Sequence, residues 1–147
     1  MREVVAAACG EWPDSLPLFV RVSATDWVAG SWSNDDTIAL TRELVPLGVD
    51  VIDCSSGGIL LRVKIPVGPG YQTRFAARVK QETAARSAAV GLITSPQQAD
   101  TIVRTGQADL VLLARALLRD PHWPLRAAHE LRQKIAWPQQ YERASKS

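Results

Sequence analysis

Apolar positions along this chain fall in short continuous runs, each followed by a stretch with helical spacing. Leu18, Phe19, Val20 and Val22 lie in the first run, within residues 16–24. Val49, Val51, Ile52 and Cys54 make a second, over 49–54. Val90, Leu92 and Ile93 fall in a third, over 88–93, and Leu110, Val111, Leu112 and Leu113 in a fourth, over 108–113. Runs this short, bounded by turn residues, predict strands buried on both faces.

Between the runs the spacing becomes helical. Val4, Val5 and Ala8 predict a helix over 2–10, which Trp12-Pro13-Asp14 breaks. Ser33 or Asn34 can cap a second helix, with Asp35 and Asp36 in its first turn, where the helix dipole favours acids. Pro46 sits awkwardly in its last turn, and Gly48 ends it. A third helix is expected over about 71–85. Thr94 or Ser95 caps a fourth, with Pro96 at its first position. Gly106 closes that one, and a last substantial helix is expected over 124–134.

Four strands, each followed by a helix and joined back by a short turn, imply parallel βαβ units. The expected class is therefore α/β. Two architectures fit: an open doubly wound sheet, or part of a (β/α)8 barrel. No GxGxxG follows the first strand, which weakens the dinucleotide-binding version of the open sheet. Both architectures place ligands beyond the carboxyl ends of the strands.

Composition narrows the choices of function. The 147 residues are expected to form one domain over 1–147. A formal net charge of +2, with scattered Lys and Arg, gives no footprint for nucleic acid. No apolar stretch approaches the ~20 residues of a membrane span. Cys9 and Cys54 lack metal-ligand spacing, and a cytoplasmic setting is the expectation. His122 and His129 could share a helix face, but no acid or Cys cluster joins them, so no metal is expected.

The unusual residues gather at the predicted strand ends. Arg115 follows the fourth apolar run directly. An Arg there suits an anion such as a phosphate; its alternative is a structural role, such as a pair with Asp120. Gly91, near the end of the third strand, permits close backbone approach. Gly91 and Ala114-Arg115 come from adjacent strands and can converge on one anion. Arg21 lies inside the first strand among apolar neighbours. It contacts either an electron-rich ligand or a buried carboxylate, with Asp53 the obvious partner. Ser55-Ser56-Gly57-Gly58 offers hydroxyls and open backbone, or is merely a flexible turn.

Several segments resemble one family. They are residues 18–27 (LFVRVSATDW), 53–58 (DCSSGG), 64–66 (KIP), 69–72 (PGYQ), 90–94 (VGLIT), 108–111 (ADLV), Ala114-Arg115, 119–124 (RDPHWP) and 140–143 (QYER). They run in order over nearly the whole chain. Jointly they resemble the C-terminal half of the old yellow enzyme family, FMN-dependent NAD(P)H:flavin oxidoreductases and ene-reductases, in its thermophilic-like branch.

The resemblance implies a TIM barrel of which this chain carries about four βα units, strands five to eight. It implies FMN as cofactor, NAD(P)H as reductant and an activated alkene as substrate. Arg21 would contact the N1/O2 edge of the flavin and stabilise negative charge on the reduced ring. Gly91, Ala114 and Arg115 would hold the FMN phosphate. Ser55 or Ser56 would lie near the ribityl chain or ring. Arg143 would be the catalytic-site contribution, reaching into a neighbouring subunit. The family usually has Gly where Ala114 stands, and the tail ends soon after Arg143. The family's flavin-tuning Cys or Thr, substrate-binding His pair and proton-donating Tyr match no residue here. The expected function is thus the FMN-binding portion of an ene-reductase, weak or inactive by itself. The alternative is a non-catalytic half-barrel that forms a homo-oligomer or complements a separate N-terminal half. A flavodoxin-like open sheet is a third possibility.

Overall fold

A computed structural model describes residues 1–146. Helix α1 (Arg2–Glu11) leads to strand β1 (Phe19–Ser23) and helix α2 (Asn34–Leu44). Then come β2 (Val51–Ser55), α3 (Thr73–Glu82), β3 (Arg86–Ala89), α4 (Pro96–Arg104) and β4 (Leu110–Val111). Two short helices follow, α5 (Arg115–Arg119) and α6 (Trp123–Glu130), and a 3-10 segment (Gln139–Lys146) ends the described chain.

The four strands form one parallel sheet in the order β1-β2-β3-β4. That order separates the two architectures. A doubly wound sheet reverses its strand order at a switch point, whereas a barrel adds each strand beside the last. This sheet never reverses, so it is part of a barrel wall.

Register assigns the faces. Arg21 pairs with Asp53 and Asp53 with Ala88, so these positions share the inner face. Val20, Val22, Ile52, Cys54 and Ala89 alternate with them and point outward. The core lies on that outer side, where Val22, Ile52, Cys54 and Ala89 cluster with Ile38, Leu44, Phe75, Val79 and Ile102 of the helices. Leu44, Ile52 and Val79 are fully buried, each worth about 1.5–3 kcal/mol of transfer free energy. The inner face is less covered at the edges of the sheet. Phe19 on β1 is 44% exposed and Leu110 on β4 is 38% exposed.

Local chemistry explains most boundaries. Ser33 caps α2 through a full capping box: its hydroxyl accepts from the Asp36 amide, and the Asp36 carboxylate accepts from the Ser33 amide. Pro46 does not break α2 in mid-course. The last turn tightens into a 3-10 turn, Val45–Leu47, and Gly48 exits at φ 101°. Ser95 caps α4, with Pro96 at its first position.

Two strands differ from expectation. The third was expected at 88–93 but is Arg86–Ala89. There it pairs with Val51 to Cys54 of β2, and the Ser87 amide donates to the Asp109 carboxylate. The apolar residues after it leave the sheet, since Gly91 and Leu92 both have positive φ. The fourth strand is only two residues long, although Asp109 and Leu112 continue its ladder by donating to the Ser87 and Ala89 carbonyls.

Candidate functional site

The carboxyl ends of β3 and β4 open onto a cavity of about 270 Å³. Its walls include Tyr71 and Gln72 from the start of α3, Gly91 to Thr94 after β3, and Leu112 to Ala116 with Arg119 after β4. Gly91, Ala114 and Arg115 therefore meet around one space, as their placement at adjacent strand ends predicts.

The charge in this cavity is one-sided. Arg115 and Arg119 both line it and both are exposed. They sit four residues apart on α5, where like charges repel. Among the described residues neither has an acidic partner. Asp120, the alternative partner for Arg115, is engaged elsewhere: it accepts from Arg126 at 2.8 Å and from the His122 amide at 3.1 Å. Two arginines lining one cavity without acidic partners suit a phosphate. Arg119 was not singled out by sequence reasoning, yet its spacing from Arg115 is a readable signal.

Gly91 is required by geometry. Its φ is 119°, and a Cβ there would come within 2.6 Å of Gln72 Nε2 and 3.0 Å of Tyr71 Cε1. Ala114 has φ −91°, so this position does not need the positive φ that favours glycine.

A second cavity, about 410 Å³, adjoins the first along Val90, Leu112, Leu113 and Ala114. Arg21 lines it. Of the two alternatives for Arg21, the structure shows the pair with a buried carboxylate. Its Nε donates to Asp53 Oδ2 across the β1–β2 register. Its two terminal nitrogens have no protein partner among the described residues and stay available to a ligand. Burial pushes the Asp53 carboxyl above the usual carboxylate range, and the Arg21 hydrogen bond and charge offset this only partly. Asp53 Oδ1 is buried with no partner.

The serines separate. Ser56 donates to Gln72 Oε1 at 2.6 Å, so it touches the first cavity's wall indirectly. Ser55 ends β2 on the inner face, in register with Ser23. Ser55 and Ser56 line neither cavity, and neither does Arg143, which is exposed on the terminal 3-10 segment. Gln72 is the residue that sequence reasoning left without a role. No group of three or more His, Cys, Asp or Glu able to hold a metal occurs among the described residues. No helix among them is long and apolar enough to cross a membrane.

Comparisons with known proteins bear on the family and the fold. The model of the NADH:flavin oxidoreductase / NADH oxidase family matches residues 1–134. An NADPH dehydrogenase of Bacillus pumilus is 45% identical over 144 residues, which is 98% of this chain and 42% of that protein. An NADPH dehydrogenase of Halalkalibacterium halodurans is 43% identical over the same shares. The chain thus spans less than half the length of the curated relatives it matches. Among solved structures, 2-naphthoyl-CoA reductase in complex with 2-naphthoyl-CoA superposes with a TM-score of 0.76 at 19% identity. The match covers 88% of this chain and 20% of that one, and it supports the fold alone.

Proposed function

The chain belongs to the NADH:flavin oxidoreductase / NADH oxidase family, and we propose that it provides the FMN-binding part of an NADPH-dependent flavin oxidoreductase acting on activated C=C bonds. The observation that carries this reading is the cavity lined by Gly91, Ala114, Arg115 and Arg119, where no carboxylate among the described residues neutralises the two cations. That donor set fits the phosphate of FMN. The chemistry FMN supplies when bound is two-electron transfer from NADPH to the alkene.

The chain's own residues then have distinct tasks. Arg115 and Arg119 neutralise the phosphate, and Gly91 lets it approach the backbone. Arg21, held through Nε by Asp53, presents its free terminal nitrogens to the flavin ring edge and stabilises negative charge there. Ser56 is oriented by Gln72, and Ser55 faces the inner side of the sheet near the ribityl path. Arg143 serves a neighbouring subunit's site. Because the family's substrate-binding His pair and Tyr have no counterpart here, this chain alone is expected to reduce cyclohexenone with NADPH only weakly.

The test is a fluorescence titration of FMN with the purified chain. Saturable binding, weakened on the order of tenfold to a hundredfold in Arg115→Ala, is expected from the loss of one charge-assisted contact. A folded chain that does not bind FMN, or binds it equally well without Arg115, contradicts the reading.

One observation favours a second reading, a non-catalytic half-barrel that self-associates or complements another chain. β1 and β4 each have an unpaired edge, and both carry exposed apolar residues, Phe19 and Leu110. Sedimentation showing a monomer that binds no ANS would overturn it.

A further inference from the structure

Gln72 makes no contact of the kind its position suggests. It is the residue before α3, the capping position, yet its side chain caps nothing. It is instead 3% exposed and spans two loops. Its Oε1 accepts from Ser56 Oγ at 2.6 Å, and its Nε2 donates to the Val90 carbonyl at 3.0 Å. The orientation of the amide is fixed by chemistry. A carbonyl can only accept, so the NH2 group must face Val90, which leaves the oxygen for the serine hydroxyl.

This amide lies against the glycine that walls the anion cavity. A Cβ on Gly91 would meet Gln72 Nε2 at 2.6 Å. The Gly91 carbonyl in turn accepts from the Gly70 amide at 2.9 Å, two residues before Gln72. One short segment, 70–72, therefore holds the turn at 90–91 from two sides and reaches the loop after β2 as well.

We propose that Gln72 is a positioning residue for the cofactor. It ties the Gly91 wall of the phosphate cavity to the Ser56 loop after β2, so that this wall keeps its place relative to the sheet. The inference rests on the FMN reading above. It gives Gln72 no direct contact with the reacting atoms. Its effect passes through the Val90–Gly91 turn on one side and Ser56 on the other.

The role predicts a selective defect. Gln72→Met keeps the side-chain length and burial but loses both hydrogen bonds. Ser56→Ala loses only one. The ligands to compare are FMN and riboflavin, which differ only in the phosphate, using the full chain and flavin fluorescence. For Gln72→Met, the preference for FMN over riboflavin is expected to fall on the order of tenfold, with riboflavin affinity changed less. A merely structural defect would weaken both ligands together and leave the ratio unchanged. Ser56→Ala is expected to keep most of the FMN preference, because the Val90 contact survives.

Amide hydrogen exchange gives a readout independent of flavin. In Gln72→Met the Gly70 amide, which bonds the Gly91 carbonyl, should exchange faster, while the Leu112 amide in the sheet keeps its wild-type rate. If the wild-type chain binds neither flavin, the FMN reading fails, and the exchange rates alone decide whether Gln72 fixes the turn. An unchanged FMN-to-riboflavin ratio, or an unchanged Gly70 exchange rate in folded Gln72→Met, overturns the proposal.

Discussion

Arg21→Ala should destabilise the chain in a way that depends on pH, because of what it leaves behind. Asp53 is 5% exposed, one of its oxygens has no partner, and the other accepts from Arg21. Removing Arg21 strands a buried carboxylate. Breaking one side of a fully buried ion pair costs about 3–5 kcal/mol. Here the Arg21 side chain is 60% exposed, so water reaches that side of the pair, and the expected cost falls to about 1–3 kcal/mol. Asp53→Asn removes the buried charge instead and frees an already exposed guanidinium. It should lie within about 1 kcal/mol of wild type, as should the double variant.

The pH dependence follows from the direction of the Asp53 shift. Its carboxyl already titrates above the ordinary range because of burial, and Arg21 supplies both opposing effects. Without Arg21 it moves further up. A carboxyl raised in the folded state contributes stability that is fully present below its unfolded value and is lost as pH rises through the folded value. The gap between wild type and Arg21→Ala should therefore be smaller at pH 4 than at pH 7. Urea denaturation of the four chains at both pH values measures it. A gap of equal size at both, or an Asp53→Asn variant less stable than Arg21→Ala, would refute the argument.

Other consequences are more local. Gly91→Ala should cost at least about 1–2 kcal/mol from its left-handed backbone alone, and more from the contact with Gln72; thermal unfolding and FMN affinity should both fall. Ser33→Ala removes the α2 capping box and should cost about 1 kcal/mol, read by urea denaturation. Cys54 is fully buried, and burial together with the neighbouring Asp53 pushes its thiol up to about 12. A thiol reagent at pH 8 should therefore leave it unmodified until the chain is unfolded, and rapid labelling of Cys54 in the folded chain would contradict the packing.

Much of this was legible in the sequence, for physical reasons that differ by element. The α2 start was legible because Ser33 and Asn34, two residue types that cap helices, precede two acids, a signal that depends only on local chain geometry; the structure selects Ser33. The meeting of Gly91 with Ala114-Arg115 was legible because adjacent parallel strands end at the same level. The third strand was misplaced toward its more apolar neighbours. At its observed position it pairs with β2 and its Ser87 amide donates to Asp109, 22 residues away, and periodicity carries no information on such long-range contacts. The Arg21–Asp53 pair could be named but not decided, since whether a cation serves a carboxylate or a ligand depends on which nitrogens face which side. Gln72 was invisible as a functional residue. Its task is to join loops that follow two different strands, and only the fold brings them within one amide's reach.

The FMN reading stands or falls on whether the cavity between the β3 and β4 ends binds the cofactor's phosphate. Phosphorus NMR of FMN titrated with the full chain tests it most directly. The phosphate resonance should shift and broaden with the wild-type chain and return toward its free position with Arg115→Ala. A flavin that binds, by its fluorescence, while its phosphate resonance stays at the free position would contradict it.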